Sequence, residues 1–324
     1  MALSVVNNDA NLHTAVGKSR WTLHGHDEEV ISGCTLGGLV ATCSVDGVAL
    51  LWKLNDNRDD PCNVCKLSSG GPAFLDSIFT DVTQLAVAQG DACVGFWDAQ
   101  IGKKVSSFSR YKSPGRAAWP VINVVEGTVD ASPMVVYGGD DGYLVRCDTR
   151  AASIVSSLNL RAPVTAISTA AGMTFVGDAS GHVRWFDFRV HEKSMVDLKC
   201  SHDVVTGMSS NESGHRLVVY TMDGKASLID TKPFALSNSE RLLNGIKVFN
   251  CSDDRILRKC DWSGPCESVV FPSPDGCVEC VNPNTFSEGG FRTIRSNGAL
   301  NFALFVQNKY ILCGGESSVE LCEW

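Results

Sequence analysis

The chain lacks the features that mark several functional classes. Its hydrophobic runs are brief, Phe302 to Val306 being typical, whereas a membrane-spanning helix needs about 20 apolar residues in a row. Basic runs are no longer than a pair such as Lys103-Lys104, and the start, Met1-Ala2-Leu3-Ser4-Val5-Val6-Asn7-Asn8-Asp9, has neither a basic n-region nor a long apolar core. No secretory signal and no basic nuclear-localisation run are therefore expected. Positive charge is also scarce overall: Lys plus Arg is 28 against 36 Asp plus Glu, a net charge of −8. Such a chain is a poor reader of phosphate backbones, which call for a basic surface. HExxH, GxSxG, the Walker loop and GxGxxG are all absent, so the common metalloprotease, hydrolase, nucleotide and dinucleotide signatures are missing. The 14 cysteines among 324 residues are too few for a disulfide scaffold. They fit a reducing intracellular compartment with most thiols buried and inert.

What is present is repetition. Division by roughly 150 residues per domain suggests two domains, but an internal period has to be tested first. Ser44-Val45-Asp46-Gly47-Val48-Ala49-Leu50-Leu51-Trp52 reads as a tight turn and a strand, and Gly90-Asp91-Ala92-Cys93-Val94-Gly95-Phe96-Trp97 repeats the phrase. With Trp52 and Trp97 as one position, the same place falls at Cys147, Phe186, Ile229, Val281 and Cys322, at spacings of 45, 50, 39, 43, 52 and 41 residues. Six residues earlier stand Asp46, Asp91, Asp141, Ser180, Asp223, Asp275 and Glu316, each followed by a small residue. An acidic residue followed by glycine supplies the positive φ of a hairpin turn. Three before the closing position every residue is apolar, from Ala49 to Val319, as a half-buried strand requires. Other apolar strands surround each turn, among them Leu39-Val40-Ala41-Thr42-Cys43, Val164-Thr165-Ala166-Ile167 and Lys103-Lys104-Val105-Ser106-Ser107-Phe108. Four short strands per unit of this length describe propeller blades.

The pattern resembles the WD-repeat β-propellers. The expected fold is all-β, one seven-bladed ring over residues 1–324. The first repeat is nearest the family, with His26, Ser44, Asp46 and Trp52. By that resemblance these four form a buried hydrogen-bond chain, and His202 and Asp223 hold the corresponding places in the fifth repeat. The chain stops at Trp324, two residues after the seventh closing position, and Ser19-Arg20-Trp21-Thr22-Leu23 reads as a strand without a repeat. Pairing that strand with the last blade closes the ring and removes two exposed edges.

Candidate chemistry is sparse. Cys62-Asn63-Val64-Cys65 and Cys277-Val278-Glu279-Cys280 carry zinc-like spacing, but Cys65 and Cys277 are 212 residues apart on different blades. Residues three apart in a strand also face opposite sides. The histidines at 13, 24, 26, 182, 191, 202 and 215 show no metal spacing. The repeated aspartates look like general acids, yet recurrence at one phase of every repeat points to turn chemistry. No catalytic residue, metal or cofactor is expected. Loops between blades should emerge on the face of the acidic turns, and they carry Arg110, Tyr111, Lys112, Arg116, Arg161, Arg255 and Arg295. That basic ring reads either as a receptor for an acidic peptide or phosphates or as solvated loop charge. Tyr111 and Trp119 are of the type that anchors interfaces, and Trp119 reads equally as core. On the opposite face Phe234 stands among polar residues as another candidate anchor.

One stretch resembles a narrower family. His202-Asp203-Val204-Val205-Thr206-Gly207-Met208-Ser209, Met222-Asp223-Gly224, Pro233-Phe234-Ala235, Leu257-Arg258, Cys260 and Trp262-Ser263 follow in an order similar to blades five and six of the 40-kilodalton WD-repeat proteins of the U5 small nuclear ribonucleoprotein. Leu23-His24-Gly25-His26-Asp27-Glu28-Glu29-Val30 and the terminal Ser317-Ser318-Val319-Glu320-Leu321-Cys322-Glu323-Trp324 fit the same family. The resemblance implies a non-catalytic scaffold in pre-mRNA splicing. Its implied partners are the large scaffold pre-mRNA-processing factor 8 and the particle's GTPase and helicase, with little direct RNA contact, no membrane and no self-association. It also implies a nuclear location, reached together with a partner. The alternative is a WD-repeat adaptor of another complex, serving ubiquitin ligation, messenger export or trafficking.

Overall fold

The acidic turns set the blade geometry. In the computed structural model, which describes residues 4–7, 20–54, 61–111, 121–127, 134–151, 153–232, 237–249, 257–266, 268–285, 292–296, 298–316 and 318–324, the residue after the turn acid has φ from 64° at Ala92 to 79° at Gly276. That is the left-handed region which glycine enters freely. The acid closes the turn: Asp46 Oδ1 accepts the Val48 N–H at 2.8 Å and Asp141 Oδ1 the Tyr143 N–H at 3.0 Å. Each turn joins the second and third strands of an antiparallel sheet, and the described residues form six four-stranded sheets and one of five strands, three C-terminal and two N-terminal. Among the described residues helix is confined to Asn238–Arg241 and a 3-10 turn at Pro283–Thr285.

The first strand of each sheet lies innermost: Val30–Leu36, Phe74–Asp81, Ile122–Gly127, Val164–Ala170, Val205–Ser210, Asp261–Ser263 and Leu300–Val306. Each lies beside the next, and the last returns to the first. The result is a seven-bladed β-propeller.

Seven buried apolar clusters fill the seven junctions between blades. The closing residue of every repeat reaches into the junction with the preceding blade: Trp52 shares a cluster with Leu304 and Leu312 of the last blade, Trp97 with Leu51 of the first, and Cys322 with Val270 and Cys280 of the sixth. A residue at that phase has to be apolar and can vary in size with its junction, so cysteine and isoleucine replace tryptophan without loss of the fold.

Closure is built as expected. Arg20–His24 pairs with Val319–Glu323, Trp21 opposite Leu321 and Leu23 opposite Val319. Trp21 and Leu23 are buried in the same cluster as Trp52 and Tyr310, and the Trp21 and Tyr310 rings meet edge to face at 6.0 Å. A further strand, Ser4–Asn7, pairs outside Arg20–His24 and makes this blade five-stranded. No periodicity marks it, because it repeats nothing.

Removing residues 1–23 should strip this joint of its strand and its two apolar anchors. Thermal unfolding followed by circular dichroism should then begin well below that of the intact chain. Trp21→Ala alone should cost about 3–5 kcal/mol, the usual range for a large core aromatic. Unchanged unfolding of the shortened chain would show that the joint does not hold the ring.

Candidate functional site

Polar groups collect at two places, the loop-bearing face and the central channel. On the loop face, His26 is buried between Asp46 and Thr42: Nδ1 lies 3.3 Å from Asp46 Oδ2 and Nε2 lies 2.9 Å from Thr42 Oγ1. A carboxylate only accepts, so the Nδ1–H donates to Asp46. Thr42 Oγ1 in turn accepts from Trp52 Nε1 at 3.4 Å. Partial burial opposes the charge on Asp46, but hydrogen bonds from His26 and the Asp27 backbone outweigh it and hold the carboxyl below the usual range.

The chain therefore runs Trp52–Thr42–His26–Asp46, and Thr42 replaces the expected Ser44. The two side chains lie on one face of the strand, and position along it explains the exchange. Ser44 ends the second strand, where its Oγ accepts the Asp46 N–H at 3.2 Å, whereas Thr42 sits opposite Leu50 inside the sheet. His202 makes no counterpart network and is exposed. His26 stands four residues before its strand begins at Val30, but His202 stands only three before Val205, and that missing residue leaves it outside. Asp223 instead accepts from Thr221 Oγ1 at 2.7 Å and pairs with Lys225. In the second blade Trp97 Nε1 is buried without a partner.

The interblade arginines behave differently from free loop charges. Arg110 lies over the Tyr143 ring, 3.3 Å from its centroid, and donates to Asp141 Oδ2 at 3.0 Å. The Tyr111 hydroxyl donates to the same oxygen at 2.9 Å. Both fasten their loop to the turn of the third blade. Arg161 is exposed in a loop at φ 65°, and Arg295 ends the strand Arg292–Arg295 rather than standing in a loop. Lys112, Arg116, Trp119, Phe234 and Arg255 lie outside the described residues. Of the thiols with zinc-like spacing, Cys62 is exposed and Cys280 buried. No three His, Cys, Asp or Glu side chains among the described residues gather as metal ligands.

The channel gathers Asp76, Glu126, Asp261 and Lys259, and sequence reasoning missed it. Six innermost strands carry a bulge near their start, at Ile31, Leu75, Asn123, Thr165, Thr206 and Asn301. A bulge re-aims side chains, and five of these line a cavity of about 450 Å³ on the ring axis. The sixth blade departs from this rule. Its first-to-second strand ladder stops at Asp261 opposite Val270, and two residues further back Lys259 would face Pro272, which has no N–H to offer. Lys259 bonds to the seventh blade instead: its N–H donates to Asn301 O at 2.9 Å and its carbonyl accepts from Ala303 N at 3.1 Å. That detour turns its side chain across the axis. Lys259 Nζ reaches Asp76 Oδ1 of the second blade at 3.1 Å, and the two blades are three steps apart, the maximum in a ring of seven.

Asp76 also accepts from Ser32 Oγ at 2.5 Å and from Val125 N at 3.1 Å. Asp261 accepts from the N–H groups of Trp262 and Phe305, both at 2.9 Å, and from Ser209 Oγ at 3.4 Å. Through these two carboxylates the channel ties blades one, two, three, five, six and seven. Burial alone would strip Lys259 of its proton, but the Asp76 and Glu126 carboxylates beside it push its pKa above the usual lysine value. Burial pushes Asp261 up, against its backbone hydrogen bonds. The signal was available in the sequence: Asp76 breaks the apolar strand Phe74-Leu75-Asp76-Ser77-Ile78-Phe79 away from the turn phase.

No family model matches the chain. Over 99 residues it is 32% identical to the SIR4-interacting protein SIF2 of Saccharomyces cerevisiae, a likeness spanning 30% of this chain and 17% of that protein.

Two substitutions check these assignments. Asp76→Asn should cost about 2–3 kcal/mol in urea unfolding, less than a fully buried pair because water reaches Lys259. Asp76→Asn combined with Lys259→Gln should cost less than the sum of the two, and strict additivity would refute the tie. Arg110→Glu should lower stability by about 1–2 kcal/mol by reversing the contact with Asp141 and unstacking from Tyr143. No change would return Arg110 to the class of free loop charges.

Proposed function

We propose that the chain is a non-catalytic protein-interaction scaffold, a subunit of the U5 small nuclear ribonucleoprotein acting in pre-mRNA splicing. The ring itself supports the scaffold reading, since a propeller offers rigid loop-bearing faces on which partners assemble. Two of its channel carboxylates are engaged in joining blades: Asp76 and Asp261 each accept three hydrogen bonds. The observation that carries the finer reading is the order of residues from His202 to Ser263, which resembles the U5 40-kilodalton family. The net charge of −8 favours docking on protein over contact with RNA. On this reading the partners are pre-mRNA-processing factor 8 and the particle's GTPase and helicase, and the protein works in the nucleus, entering with a partner.

A second reading is favoured by the likeness to a yeast protein named for its interaction with SIR4. It makes the chain a propeller adaptor in a different multiprotein complex. Of the interblade basic residues named from the sequence, Arg161 and Arg295 are described and exposed, and either reading leaves them for a partner.

Affinity purification of the tagged full-length chain decides between the two. Recovery of the large U5 proteins together with U5 RNA is expected. A stable but unrelated set of proteins would replace the splicing reading with the second one, and a chain recovered alone would sink both.

A further inference from the structure

Among the described residues lining the channel, Lys259 is the one basic side chain, and it faces three carboxyl groups, Asp76, Glu126 and Asp261. The three are not equivalent. Asp76 and Asp261 each have three hydrogen-bond donors, whereas among the described residues Glu126 receives one, from the Gly127 N–H at 3.1 Å. Glu126 is half-buried: protein surrounds it, and water reaches it along the channel. Its place in the innermost strand of the third blade, next to the strand that holds Asp76, puts it within electrostatic reach of Lys259.

We propose that Glu126 is a proton-operated competitor for Lys259: with Glu126 neutral, Lys259 belongs to Asp76 and the tie across the ring is firm, and with Glu126 ionised the ammonium is shared and the tie slackens. The device is electrostatic. One ammonium satisfies one carboxylate in a site of reduced polarity, and a second ionised carboxylate has only residual attraction left to use. The charged and titratable groups around it come from three other blades: Asp76 from the second, Lys259 and Asp261 from the sixth, and the Cys34 thiol from the first, beside Lys259. Blades four, five and seven contribute uncharged side chains to the same cavity, such as Ser168, Ser209 and Leu304.

The proton's energetics agree with the geometry. Burial, then the Asp76 and Asp261 charges, push Glu126 up to about 7 against the pull of Lys259, from an ordinary 4.5. A carboxyl raised in the folded state keeps its proton there while the unfolded chain has lost it. Stability from this group is therefore complete below about pH 4.5 and falls as pH rises to about 7.

Urea unfolding of the full chain between pH 4.5 and 8.5 tests the device, with Glu126→Gln as reference for the proton's share. The native chain should lose midpoint across that window relative to Glu126→Gln. Lys259→Gln should move the loss upward by about one pH unit, and Asp76→Asn should move it downward by about one, as removal of an opposite or a like charge requires. Shifts in one common direction, or matching profiles for the native chain and Glu126→Gln, would overturn the proposal. Should a variant not fold, carbon-13 titration of the Glu126 carboxyl in the native chain reads the same group, and a midpoint near 4.5 would overturn it equally.

Discussion

A ring of sheets has two ends, and everything else in this molecule depends on how they are joined. Each blade buries one face against its neighbour on either side, so a ring left open would expose two apolar faces and two unpaired strand edges. The joint is made by Arg20–His24 laid on Val319–Glu323. It contributes hydrogen bonds along the edge, and Trp21 and Leu23 to the cluster that also holds Trp52 and Phe302. The cluster at the joint is therefore the same kind of object as the other six, with one strand supplied from a distant part of the chain. Loop-closure entropy grows only slowly with the length enclosed, which lets a strand at one end of the chain complete a blade at the other.

The blades tolerate wide variation at the closing position because each junction needs volume and no particular chemistry. Where the loop geometry admits a histidine, as in the first blade, a chain of hydrogen bonds from Trp52 through Thr42 and His26 to Asp46 stiffens the top of the sheet. Elsewhere the turn is held in other ways: Arg110 and Tyr111 both clamp Asp141, and in the fourth blade, where Ser180 takes the acid's place, Arg184 bridges Asp178, two residues earlier, and Asp197. One structural requirement, a turn acid held down by a donor from a neighbouring loop or strand, is met by histidine, arginine or lysine according to which side chain reaches it.

These substitutions decide what was legible in the sequence. The blade count, the turns and the closing strand could be read because they recur at a fixed phase, and seven repetitions outweigh local noise. Ser44 and His202 were misplaced because they were judged by residue type: two residues along one face separate a strand's end from its interior, and one loop residue separates a buried histidine from an exposed one. Arg110 looked like a free cation because its partners, Asp141 and Tyr143, belong to the next repeat. The channel was illegible for a different reason. Asp76, Glu126, Lys259 and Asp261 each occur once, at no shared turn phase, and only ring closure brings blade two opposite blade six.

Pro272 is where these levels meet. A proline in a second strand cannot donate to the first, so the sixth blade gives up the start of its inner ladder, and Leu257–Cys260 is left without its own sheet. The segment recovers two backbone hydrogen bonds from the seventh blade at Asn301 and Ala303. The same displacement places a lysine on the axis, where an ammonium with no carboxylate would be costly. Asp76 answers that cost from across the ring, and Ser32 and Val125 N–H hold Asp76 in place to do so. The ion pair thus follows from one missing amide hydrogen. That pair joins the second blade to the sixth across the axis, a link no single blade could make by itself.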